Sequence, residues 1–284
     1  MLRVWQRSEQ ARLLVDRDRA AALEICAEDP VANVFVESRI RAFGLDPGRL
    51  GAQLWGFDQG GRLESICYAG ANLVPVQATS AALAAFADRG LRQGRRCSSL
   101  VGPSAAIREL WGILRPYWGP ARDVRAAQPL MAIDTTPLVA PDPAVRRVRL
   151  DELDILLPAS IAMFTEEVGV SPLAGDGGVS YRARVSELVR AGRAFARIED
   201  GKVIFKAEVG AAGTRACQVQ GVWVRPECRG RGLAAPGMAA VVEMARASIS
   251  PVVSLYVNDF NTPARATYKR AGFNEVGEFM SVLF

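Results

Sequence analysis

At 284 residues, half of them hydrophobic, the chain is long enough for one large or two ordinary domains and can bury a sizeable core. Lys and Arg number 35 against 30 Asp and Glu, an excess of +5 that suits an anionic small ligand, while scattered arginines without a long basic run or basic-aromatic interleaving disfavour nucleic acid. There is no histidine, which excludes Ser-His-Asp and Cys-His catalysis and removes zinc's commonest nitrogen ligand.

Residues 16–43 have a helical apolar pattern broken at Asp29-Pro30, which predicts two helices. Residues 53–57 and 63–69 flank the turn Asp58-Gln59-Gly60-Gly61 and read as a hairpin. A short strand at 72–76 precedes Thr79, a plausible N-cap for an Ala-rich helix over 80–92. A strand at 96–101, a helix at 104–114 with Ser104 as its cap, and a strand at 128–133 complete the first half.

The proline-rich stretch 135–143 is the natural linker, which sets expected domains at 1–136 and 144–284. Beyond it the pattern predicts a strand at 146–150, helices at 151–167 and 179–191, and a hairpin of 194–198 with 203–209 across Asp200-Gly201. An apolar strand over 217–224, weakened at Gly221, stops before Pro226. Then come a loop with Gly230 and Gly232, a helix over 233–248, a strand at 252–257, a turn at 258–261, a helix over 263–271 ending at Gly272, and a closing strand from Phe273. This element order repeats that of the first half, so the expected fold is α/β (α+β): two similar domains in tandem, each a mixed, mostly antiparallel sheet flanked by helices.

Strand, glycine loop and helix together make an anion cradle, because the first N–H groups of the helix lack internal partners and the positive end of its dipole faces the loop. Arg229 and Arg231 add charge beside it. The loop lacks the Lys-Ser/Thr ending of a nucleoside-triphosphate site and the spacing of G-x-G-x-x-G, so neither ATP nor NAD is favoured. A flexible basic turn is the plain alternative. Arg229, Gly232 and Ala234 fit R/Q-x-x-G-x-G/A, and Asn261, Ala264, Tyr268, Gly272 and Phe273 fit N-x-x-A-x-x-x-Y-x-x-x-G-F. In both motifs and their order the chain resembles the GCN5-related N-acetyltransferases, the GNAT family. Blocks at 72–75, 118–122 and 128–130 further resemble actinobacterial proteins that fuse an uncharacterised N-terminal domain to a C-terminal GNAT domain.

The resemblance implies an acetyl-CoA-dependent N-acetyltransferase acting by direct attack in a ternary complex. It implies that the backbone of Val222, Trp223 and Val224 binds the pantetheine arm and polarises the thioester. Arg229, Gly230, Arg231, Gly232, Leu233 and Ala234 are then the pyrophosphate loop, with Asn258 and Asn261 also on the cofactor and no metal required. Asn261 equally reads as a helix cap. Tyr268 is the implied proton donor to the departing thiolate; a packing aromatic is its other reading. Glu208, beside Lys206, is the candidate base, with an ion pair as the alternative. Glu166 and Glu167, at a helix end before the loop 169–178, stand where the family binds its acceptor, and a solvated helix end explains them equally.

The first half has Pro75-Val76-Gln77-Ala78-Thr79-Ser80 where the second has its glycines, so it is expected to bind no CoA in this mode and to shape the acceptor cleft or a homodimer contact. The acceptor that the resemblance implies is an amine-bearing small molecule or protein. Two further functions remain open: a non-catalytic acyl-CoA-binding regulatory protein, suggested by Gln218 and Gln220 where relatives carry a carboxylate, and an aminoacyl-tRNA-dependent transferase of tandem GNAT fold. Cys26, Cys67, Cys97, Cys217 and Cys228 are odd in number and form no C-x-x-C, which argues against a disulfide framework and for a reducing compartment. With no signal-peptide core at the start and no stretch long enough to cross a membrane, a cytoplasmic location is expected.

Overall fold

The computed structural model describes residues 10–284; the opening stretch, read above for its lack of a signal-peptide core, lies outside the described residues. Two units emerge from the contacts: the chain up to Leu130 with Tyr256–Phe260 and Glu275–Phe284, and Met131–Leu255 with Asn261–Asn274.

In the first unit the elements are β1 (Arg12–Leu13), α1 (Arg19–Glu28), α2 (Val34–Phe43), α3 (Pro47–Leu50), β2 (Gln53–Gln59), β3 (Arg62–Ala69), β4 (Asn72–Val76), α4 (Ser80–Gln93), β5 (Ser99–Pro103), α5 (Ser104–Trp118) and, as far as Leu130, β6 (Asp123–Ile133). β1 to β4 pair antiparallel in sequence order, and β4 then runs parallel to β5. Because successive strand residues face opposite sides, the sheet is buried twice. Leu54, Ile66, Tyr68 and Val74 pack with α1 and α2, whereas Trp55, Cys67, Leu73 and Leu100 pack with α4 and α5.

Local chemistry explains the boundaries. α1 stops at Glu28 because Asp29 precedes a proline and leaves the helical region at φ −134, ψ 89, its carboxylate accepting from the N–H groups of Val31 and Ala32. Thr79 caps α4 by accepting from Ala82 N–H. Ser104 is not a cap: Pro103 occupies that position with no side-chain hydrogen bond, and Ser104 is the first helical residue.

The second unit contains β7 (Arg146–Arg147), α6 (Leu153–Val168), α7 (Val179–Arg190), β8 (Ala194–Glu199), β9 (Lys202–Ala212), β10 (Ala216–Val224), α8 (Ala234–Ser248), β11 (Val252–Tyr256) and α9 (Thr262–Ala271). β7 to β10 are antiparallel neighbours in order, and β10 runs parallel to β11. The strand expected at 146–150 shrinks to two residues, because a 3-10 turn at Leu150–Glu152 follows, tied by Glu152 to Arg146 and to Arg149 N–H. Asp200 and Gly201 both have positive φ, 47° and 69°, as a two-residue hairpin turn requires.

The closing strand β12 (Asn274–Leu283) follows α9 in sequence but pairs antiparallel with β5, from Phe279 opposite Pro103 to Leu283 opposite Ser99. A cut at 136–144 therefore does not coincide with the contact units, since Glu275–Phe284 belong with the first unit. Among the described residues no helix is long and apolar enough to cross a membrane.

Candidate functional site

The second unit opens at β10. Its ladder to β9 shifts register between Gln220 and Trp223, with Gly221 at φ +60. A side chain there would be strained by the left-handed backbone, and its Cβ would stand 2.9 Å from Met163 Cε and 3.2 Å from both Glu208 Cδ and Lys206 Nζ. The bulge bends the strand. On the other edge, pairing with β11 extends only from Ala216 opposite Val252 to Gln218 opposite Ser254. Past that point the backbone of Val222, Trp223 and Val224 borders a cleft of about 650 Å³ instead of a neighbouring strand.

Gly230, Gly232, Leu233 and Ala234 form the next wall. Both glycines are left-handed, at φ 73° and 75°, and a Cβ on either would point into open space. α8 begins at Ala234 with Leu233 as N-cap and no side-chain capping bond, so its first N–H groups are not claimed by a cap. α4 of the first unit, in the equivalent place after a strand, has its Thr79 cap.

Arg229 lines the cleft, its Nε donating to the Val224 carbonyl at 3.0 Å and its Nη2 to Glu166 Oε2 at 2.7 Å. Glu166 also accepts from Trp223 Nε1 at 3.3 Å, so it stands in the wall beside the glycine loop. Glu167 is exposed and outside the lining. Arg231 and Asn258 are outside it too, and Asn258 Oδ1 accepts from Gln128 Nε2 at 2.9 Å. Asn261 lines the cleft and caps α9, accepting from Ala264 N–H at 3.2 Å.

Tyr268 reaches the cleft from α9 while remaining 8% exposed, tilted against Phe273 at 6.0 Å between ring centroids. Burial, and secondarily the charge of Glu167, push its phenol above the ordinary tyrosine range, so the hydroxyl keeps its proton at neutral pH. Glu208 is buried and outside the lining. Burial alone would raise its carboxyl; Lys206 at 3.2 Å, the Gln220 amide at 3.0 Å and the charge of Arg184 hold it below the usual carboxylate range. The pair with Lys206 lies within one strand, and the cross-strand partner is Gln220.

Sequence reasoning missed Pro263, Thr267 and Arg270, which line the cleft from α9, and Cys228 at the loop entry. The signal for the first three was their three- and four-residue spacing, which sets them on one side of the helix with Tyr268's neighbour Ala264.

Residues 178–273 match the family model of the acetyltransferase (GNAT) family, and residues 52–156 match a family described only as a domain of unknown function. Among solved structures, a Drosophila protein superposes with a TM-score of 0.63 at 16% identity, covering 97% of this chain and 99% of that one. A tandem GNAT protein from the clavulanic acid biosynthesis pathway gives 0.58 at 16%, with 96% and 98% covered. A GNAT-family acetyltransferase from Colwellia psychrerythraea gives 0.58 at 11%, with 97% and 99% covered. At these identities the likeness is one of fold, and the fold is that of tandem GNAT-like domains. No curated protein matches the chain.

Proposed function

From a chain whose residues 178–273 match the GNAT acetyltransferases, we propose that the cleft of the second unit binds acetyl-CoA and that the protein transfers its acetyl group to an amine. The family match and the fold support acyl-CoA-dependent acetyl transfer in general. What carries the particular reading is a coincidence in space: an unpaired strand edge, a glycine loop at an uncapped helix start and a buried protonated tyrosine line one cleft.

In this reading the loop at Gly230–Ala234 and the first N–H groups of α8 hold the pyrophosphate. The freed edge at Val222–Val224 orients the pantetheine arm and polarises the thioester carbonyl, a kind of contact whose loss typically costs ~10²-fold or more in rate. The amine attacks the carbonyl carbon, a C–N bond forms and the C–S bond breaks, with Tyr268 giving its proton to the departing sulfur. The amine's own proton goes to solvent, from which Tyr268 regains the proton it gave up, because Glu208 is committed to Lys206 and Gln220. That commitment also favours a second reading, an acyl-CoA-binding regulator without turnover. Measuring CoA release across a panel of amines separates the two: release with some amine supports the enzyme, and binding with no release supports the regulator.

Acetyl-CoA titrated into the protein in a calorimeter should give one site per chain, since α4 carries its own cap and no glycine loop precedes it. Two equivalent sites would overturn the assignment to the second unit. Gly232→Val should weaken acetyl-CoA binding at least tenfold, because a branched side chain at φ 75° both strains the loop and projects where the ligand approaches. The thermal midpoint should fall only by a few degrees, as no core contact is lost. Normal affinity in a folded variant would remove this loop from the site.

A further inference from the structure

The cleft contains an acid where an anion is to bind. Glu166, at the C-terminal end of α6, uses both carboxylate oxygens on the cleft's own groups: Oε2 accepts from Arg229 Nη2 at 2.7 Å and Oε1 from Trp223 Nε1 at 3.3 Å. Arg229 is held from the other side as well, by the bond from its Nε to the Val224 carbonyl. The guanidinium that the glycine loop offers to a ligand is therefore already charge-matched. A second anion arriving there meets the negative charge of Glu166 as well as the positive charge of Arg229.

We propose that Glu166 is a built-in counter-anion that competes with the pyrophosphate of CoA for Arg229 and so limits how tightly the cleft holds the nucleotide end. This rests on the reading of the cleft as a CoA site. The two side chains are each 48% exposed, so their pair is solvent-screened and weak. A weak pair suits a contact that is exchanged in every binding cycle: strong enough to hold Arg229 at the loop, and readily given up to a diphosphate. The opposite role, a brace that keeps Arg229 in position for the ligand, makes the opposite prediction.

Glu166→Gln decides between them, since the amide keeps an acceptor oxygen at the same place and removes only the charge. The probes are CoA and dephospho-CoA, titrated calorimetrically into the full chain at low ionic strength. Competition predicts that both bind the variant about 1.5- to fivefold more tightly than the unmodified protein, with the gain shrinking as salt is added. Unchanged or weaker binding would overturn the proposal in favour of a brace or a bystander. A gain for CoA that vanishes with dephospho-CoA would overturn it too, by making the 3′-phosphate the competing group. If the unmodified protein bound neither probe, the proposed function would fail and this inference with it, whereas equal affinities in protein and variant would sink this inference alone.

Discussion

Tyr268→Phe is expected to lower acetyl transfer by about 10²- to 10⁴-fold while leaving the affinity for acetyl-CoA and the thermal midpoint nearly unchanged. The substitution removes a hydroxyl and keeps the ring, which is 8% exposed and packed against Phe273. Burial and Glu167 keep that hydroxyl protonated across the neutral range, as a proton donor to a thiolate requires. Because a thiolate leaves with a pKa of ~8.5 and needs less help than an alkoxide, the lower end of the range is the expected result. The measurement is single-turnover transfer to an amine found in the acceptor panel, alongside calorimetric affinity and thermal unfolding. Full turnover in the variant would take Tyr268 out of the mechanism; a parallel loss of stability and rate would make it a packing residue.

Lys206→Met should destabilise the protein by about 3–5 kcal/mol at neutral pH, seen as a thermal midpoint lower by roughly 10 °C. Lys206 and Glu208 have side chains 1% and 8% exposed, so removing the lysine leaves a buried carboxylate with only Gln220 and the more remote Arg184 to favour its charge. The pH dependence gives a second test. In the unmodified protein the Glu208 carboxyl lies below the usual range, so its contribution to stability is present above the unfolded pKa and is lost as pH falls through the folded value. Without Lys206, burial dominates and raises the pKa, which reverses the sign: the variant should regain stability as pH is lowered and the carboxyl takes up a proton. The double variant Lys206→Met with Glu208→Gln should recover most of the loss at neutral pH, as the amide introduced on β9 carries no charge and still offers an acceptor oxygen to Gln220. A single variant as stable as the parent would mean that the pair contributes nothing to the fold. Because Gly221 sits directly against this pair, a shift in the bulge would also show as weakened acetyl-CoA binding.

What the sequence determined by itself was most of what near neighbours along the chain set. Asp29-Pro30 ended a helix, Thr79 and Asn261 capped theirs, and Asp200-Gly201 closed a hairpin, each through a bond or a dihedral confined to a few residues. The glycine loop and the helix carrying Tyr268 were legible for the same reason, since strand, turn and helix there are consecutive. Ser104 failed even locally, because the preceding proline took the cap position. Only the tertiary structure decided the rest. Where β10 parts from β11 depends on a register between strands separated by a whole helix, and the pairing of β12 with β5 likewise joins strands far apart in the chain. Glu166 meets Arg229 across 63 positions of sequence, and Lys206 was fixed on Glu208 only by the burial of their shared strand face. Periodicity says which side of an element is apolar; it carries no term for which distant side chain will share that side, and the bonds of Glu166 to Arg229 and Trp223 are such meetings.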